Sequence, residues 1–152
     1  MAHQGCGCPG SQVRTVEKTE TTENTATGRL TSELRQWPTQ LHLVPPSAPY
    51  LQNAHLLIAA DCAPFAYAEF HRDFIKDRIL VNACPKLDDT SNYVDKLAAM
   101  ISQNDVQSVT VPIMEVPCCR GLAMMAEQAV AKSGKDVPLE IVIIGIDGQR
   151  KN

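Results

Sequence analysis

The stretch HLLIAADCAPF (55–65) decides the fold. Six residues with almost no polar interruption end in Asp-Cys-Ala-Pro, too short for a buried helix and too uniformly apolar for a strand wet on one face. A continuous run of this length fits a strand buried on both faces, as in a parallel sheet. Working outward, RILVNACPKL (78–87), SVTVPIMEVPCC (108–119) and LEIVIIGI (139–146) repeat the form. Three of the four runs stop at a cysteine.

Between the runs the period changes to helical. Val94, Leu97, Ala98 and Ile101 repeat at i, i+3, i+4, i+7, after an Asp88-Asp89-Thr90 segment that offers caps. Leu122, Met125, Ala126 and Ala129 repeat in the same way, and Gly134 suits the position just past that helix. Phe65, Phe70 and Phe74 mark a less tidy helix over 65–76, and the Met and Phe stripes read as core. Alternating strands and helices predict an α/β fold. Its expected form is three-layered, a mostly parallel sheet of about four to five strands with right-handed crossovers and flanking helices. Pro112 cannot donate to a ladder, so an edge position or a bulge is expected there.

The chain divides near residue 30. Residues 11–32 are rich in Thr, Glu and Ser without apolar periodicity, and predict a disordered N-terminal tail, 1–32, bearing Cys6-Gly7-Cys8-Pro9-Gly10. The α/β metal-binding domain is expected over 33–152. At 152 residues, 44% apolar, 20% charged and net −3, the composition is that of a soluble globular protein. No basic block with interleaved aromatics predicts a nucleic-acid partner. The apolar runs are too short to span a bilayer. The start, MAHQGCGCPG, has no secretion-signal pattern. A cytoplasmic protein is expected. In a reducing compartment, six cysteines favour metal or redox roles over disulfides.

Cys62, Cys84 and the pair Cys118–Cys119 each lie just past the C-terminal end of a predicted strand. In a parallel sheet those ends share one edge, where ligands bind in open α/β folds. Strands about 4.8 Å apart let side chains from three loops meet around one small object. Thiolates select zinc, copper(I) or iron–sulfur clusters. The paired C-x₂₋₄-C turns of structural zinc sites are absent here. Ligands scattered over three loops point to a 4Fe–4S cluster, with zinc the alternative and a metal-free thiol oxidoreductase a third reading. Main-chain N–H groups of the same loops are candidate donors to the cluster. Asp61, Lys86 and Arg120 flank the site. Adjacent cysteines ordinarily point apart, so one of Cys118 and Cys119 is expected to be a spare thiol, leaving an exposed iron. His71 is a candidate proton donor or a surface residue, and Cys6 and Cys8 a second ligand set, a lid or an N-terminal remnant. No G-x-G-x-x-G or P-loop follows any strand, so no nucleotide site is expected.

LRQWPTQLHLVPPSAPY (34–50), LLIAADCAPFAYAEFHRDF (56–74), CPKLDD (84–89) and VTVPIMEVPCCRGL (109–122) together resemble the α/β region of a bacterial and archaeal group, the 4Fe–4S ferredoxin-type iron–sulfur cluster-binding proteins. The resemblance covers about residues 5–10 and 32–148. CGCPG resembles the junction that follows the ferredoxin module of such proteins, whose C-x₂-C-x₂-C-x₃-C-P run does not occur here. Arg120 replaces an uncharged residue common in the group. The resemblance implies cluster binding by the α/β cysteines, electron transport and a redox partner protein.

Overall fold

The computed structural model describes residues 8–17 and 28–152. Its centre is a four-stranded parallel sheet of β3 (His55–Ala60), β4 (Ile79–Ala83), β5 (Ser108–Met114) and β6 (Leu139–Ile144), in the spatial order β4-β3-β5-β6. The apolar runs become interior strands because both faces are covered. Leu56, Leu57, Ile58 and Ala59 of β3 are fully buried, as are Val81 and Val111 on the flanking strands.

After β4 the chain crosses back over β3 through α2 (Tyr93–Gln103) to form β5, and α3 (Arg120–Ser133) returns it to β6. Right-handed crossovers place α2 and α3 on the same face, and the two helices pack on each other. The β3–β4 connection, which holds the short α1 (Ala63–Ala66), moves the other way across the sheet and covers the opposite face. The fold is therefore the expected three-layer α/β sandwich. Gly134 closes α3 in the left-handed region (φ +70°), as its position predicts.

Four local expectations differ. Residues 65–76 are not one helix. α1 ends at Tyr67, whose extended backbone (φ −98°, ψ +110°) breaks it, and a single π-turn spans His71–Ile75. Phe70 and Phe74 are buried with their rings 5.0 Å apart, while Phe65 is 92% exposed and not core. Secondly, the acids before α2 do not cap it. Asn92 occupies the cap position without a side-chain hydrogen bond, because Asp88 and Asp89 are engaged in the preceding loop.

Thirdly, part of the expected disordered tail is ordered. β1 (Arg14–Thr15) pairs antiparallel with β2 (Gln36–Trp37), and Trp37 Nε1 donates to the Gly10 carbonyl at 2.7 Å. The two-residue pairing, flanked by Val13 and Val16, is too short to register as a strand in the sequence. Finally, Pro112 lies in an interior strand, not at an edge. The Val109 and Glu115 N–H groups donate toward β6, so alternation along β5 turns the position of Pro112's missing N–H toward β3. The β3–β5 ladder accordingly ends at Leu57 and Thr110, whereas the β5–β6 ladder continues to Met114 and Ile144.

No helix among the described residues is long and apolar enough to cross a membrane.

Candidate metal centre

That early end of the β3–β5 ladder occurs where the strand order reverses, the crevice in which open α/β sheets take their ligands. The crevice holds a cavity of about 190 Å³. Cys62, Cys84, Cys118 and Cys119 all line it, over a floor of Ala60, Ala83 and Met114 at the strand ends. The topology thus brings together all four cysteines singled out by position.

Each loop fixes its cysteine by a different local device. The Cys62 carbonyl accepts the N–H groups of Phe65 (3.1 Å) and Ala66 (3.2 Å), which curls the chain at once out of β3. Around Cys84 the bonding is reciprocal. Its carbonyl accepts from the Leu87 and Asp88 N–H groups at 3.3 and 2.9 Å, and its own N–H donates to Asp88 Oδ2 at 3.0 Å. The same oxygen accepts from the Tyr93 hydroxyl (2.6 Å) and Gln40 Nε2 (3.1 Å). Burial would raise the Asp88 carboxyl, but these hydrogen bonds hold it below its ordinary range. Burial and the bond to Asp88 push the Tyr93 hydroxyl up. Asp88 is therefore an ionised clasp tying the Cys84 loop to the first residue of α2.

Cys118 and Cys119 form a 3₁₀ turn, Pro117–Cys119, that runs straight into α3. They stand at the N-terminus of a 14-residue helix. Cys119 is buried and Cys118 exposed. Desolvation pushes the Cys119 thiol above its ordinary value, opposed by a hydrogen bond from the Met114 backbone and reinforced by Cys118 and Cys62. The two adjacent thiols interact directly and line one cavity, rather than pointing apart as expected. A Cβ on Gly121 would lie 3.3 Å from Pro85 Cβ, so this glycine lets α3 close against the Cys84 loop.

Several sequence expectations are placed elsewhere. Asp61 lines the cavity and accepts from Asn82 Nδ2 at 2.7 Å. Lys86 and Arg120 are exposed. The N–H groups of Cys84 and Cys119 are taken by Asp88 and the Val116 carbonyl, and so are not free to donate into the cavity. His71 accepts the Glu33 N–H at 3.0 Å and lines a separate cavity of about 560 Å³ between residues 29–33 and 68–72. It is a surface residue, not a proton donor to the cysteines. Cys8 is exposed and does not line the cysteine cavity, and Cys6 lies outside the described residues. Gln40, Asp88 and Tyr93 were not singled out as site residues. CPKLDD carried a trace of the clasp, an acid four residues after a cysteine, but nothing in the sequence ties Gln40 to it.

A single zinc ion needs its thiolates about 2.3 Å from one point. Among the described residues no three Cys, His, Asp or Glu side chains stand close enough to enclose one ion. The cavity's thiols are spread over three loops instead.

Residues 48–151 match the model of a Rossmann-like domain. The chain belongs to the Rossmann-like domain family. It is also 34% identical over 116 residues to an uncharacterized protein of Archaeoglobus fulgidus, an alignment that covers 76% of this chain and 81% of that protein. No solved structure matches the chain. The first βα turn of this Rossmann-like domain differs from the glycine-rich turn that dinucleotide-binding folds use. Ala60-Asp61-Cys62-Ala63-Pro64 has no glycine, and α1 is only four residues long.

Proposed function

We propose that this protein is a cytoplasmic iron–sulfur protein that binds a 4Fe–4S cluster through Cys62, Cys84 and the Cys118–Cys119 pair, and that it serves electron transfer with a redox partner or chemistry at an exposed iron. The observation that carries the reading is the convergence of four cysteines, from three strand-end loops, on one cavity at the sheet's switch point. The donor set fits the group. Soft thiolates are the ligands of such clusters, and a polynuclear cluster accepts ligands held farther apart than one zinc ion does. The bound group would supply one-electron chemistry. The chain's own contribution is to hold the thiols, to shield Cys119 from water and to anchor Cys84 through Asp88.

Anaerobic reconstitution followed by iron and sulfide analysis tests this. The expected result is about four iron and four sulfide per chain, a visible absorbance bleached by dithionite and an EPR signal in the reduced protein. Cys62→Ala and Cys84→Ala are each expected to abolish loading. One zinc per chain and no sulfide would replace this reading with a non-catalytic zinc-binding or metal-sensing module.

A further inference from the structure

Cys118 and Cys119 share one turn but not one environment. Cys119 is 6% exposed, whereas Cys118 is open to water. Their turn, Pro117–Cys119, is closed by the Cys119 N–H, which donates to the Val116 carbonyl at 3.2 Å. The turn carries Cys119 back to the end of β5, where a hydrogen bond from the Met114 backbone meets its sulfur. Cys62, from the end of β3, is near enough to act on the same thiol.

The origin of that bond lies two residues before Met114. The Val109 and Glu115 N–H groups donate toward β6. By alternation the N–H groups of Thr110 and Met114 face β3, as would one at position 112, but residue 112 is proline and has none. The β3–β5 ladder ends at Leu57 and Thr110, although β3 runs on to Ala60 and β5 to Met114. The Met114 N–H therefore lies beyond the last pair of that ladder, facing the gap between the two strands. Met114 is buried, and a buried N–H needs an acceptor. The Cys119 sulfur is that acceptor. Such bonds stabilise thiolate ligands and help set the potential of a cluster.

We propose that Pro112 is a positioning residue for the cysteine site. By ending the β3–β5 ladder it opens the gap and leaves the Met114 N–H for Cys119, which makes Cys119 the resident ligand of the pair and the exposed Cys118 the displaceable one. The ligand assignment rests on the cluster reading; the hydrogen bond and its dependence on Pro112 do not.

The first measurement is amide hydrogen exchange, followed by NMR in the metal-free, isotopically labelled full chain. The Met114 amide is expected to be protected in wild type and in Cys118→Ala, and to exchange about tenfold faster or more in Cys119→Ala, which lacks the acceptor. The Ile113 amide, which faces β6, should stay protected throughout and shows that each variant is folded. In a Pro112→Ala background the ladder can close, so adding Cys119→Ala should leave Met114 protected. The second measurement is anaerobic reconstitution. Cys118→Ala is expected to keep the iron and sulfide content of wild type and Cys119→Ala to lose it. Pro112→Ala should load with its midpoint potential displaced downward, because the thiolate has lost a donor. Loss of the cluster in both cysteine variants, or its retention in Cys119→Ala, would overturn the ligand assignment. A Met114 amide indifferent to Cys119→Ala, equal acceleration in the Pro112→Ala background, or a potential that Pro112→Ala leaves in place would overturn the positioning role. Wild type that takes up no iron and sulfide while the amide pattern holds would sink the cluster reading alone.

Discussion

The β4–β5 and β3–β4 crossovers perform the same topological task with opposite regularity. The first uses α2, an eleven-residue helix whose Tyr93, Leu97, Met100 and Ile101 are wholly buried. The second uses four residues of α1, an extended break at Tyr67 and one π-turn. Both carry apolar residues at roughly helical spacing. In α2 Leu97, Ala98 and Ile101 are buried and Val94 is half-buried. In the β3–β4 crossover the first, Phe65, is held out in water by the turn that positions Cys62. The difference is one of placement. Both connections furnish a cysteine, but Cys84 lies in a loop that ends before α2 begins, so α2 keeps its period, whereas Cys62 caps α1 itself and the period is given up.

The contrast is broken most sharply by truncating an apolar side chain in each. Leu97→Ala removes a fully buried leucine and is expected to cost about 2–5 kcal/mol, read as a lowered denaturant midpoint. Phe65→Ala, at 92% exposure, is expected to stay within about 0.5 kcal/mol of wild type. Equal losses would show that the broken crossover is packed after all.

Asp88 joins the site to the regular half, and its removal comes next in size. Asp88→Ala strips the partner from the Tyr93 hydroxyl and the Cys84 N–H together, at a cost of about 2–4 kcal/mol. Metal loading should fall with it. Because the folded carboxyl lies below its ordinary value of 3.8, its contribution is present above that pH and fades as the pH falls through the folded value. Wild type should therefore lose stability in that acid range by more than Asp88→Ala does, in parallel urea titrations.

What could be read from the sequence follows the same division. The four sheet strands and the two long helices were legible because burial imposes one period along the whole element. The cysteines were legible because each ends such an element. The kink at Tyr67, the outward turn of Phe65 and the use of Asp88 as a clasp were not. Each depends on hydrogen bonds between segments, Gln40 to Asp88 for example, whose pairing no local pattern encodes. Pro112 was visible as an anomaly but misplaced to an edge. In the folded sheet its missing N–H faces β3 at the point where the ladder ends, so the residue that offends the strand pattern marks the opening of the crevice.

Gly121 separates stability from site geometry with a smaller effect. A methyl group there gains helix propensity of about 1 kcal/mol but meets Pro85 at 3.3 Å. Gly121→Ala is expected to change global stability by less than about 1 kcal/mol while displacing the Cys84 loop from Cys118–Cys119. Reduced iron uptake at unchanged thermal stability is the signature. Full uptake would mean that the loop yields without moving its thiol.

The smallest effect lies on Cys119 and concerns the metal-free chain. Its thiol is raised above the ordinary 9.0 chiefly by burial, so the folded protein holds that proton more tightly than the unfolded chain does. The stability this confers is complete below pH 9.0 and is lost as the pH rises through the folded value. Melting temperatures of metal-free wild type should accordingly fall above that pH, and the Cys119→Ala variant, less stable throughout, should show a shallower fall. Cys118→Ala should leave most of the slope, because the exposed thiol beside it supplies only a lesser part of the shift. A metal bound at the site must displace the Cys119 proton from a buried position. The shielding that raises the thiol thus carries the pH dependence of metal uptake at Cys119 to higher pH.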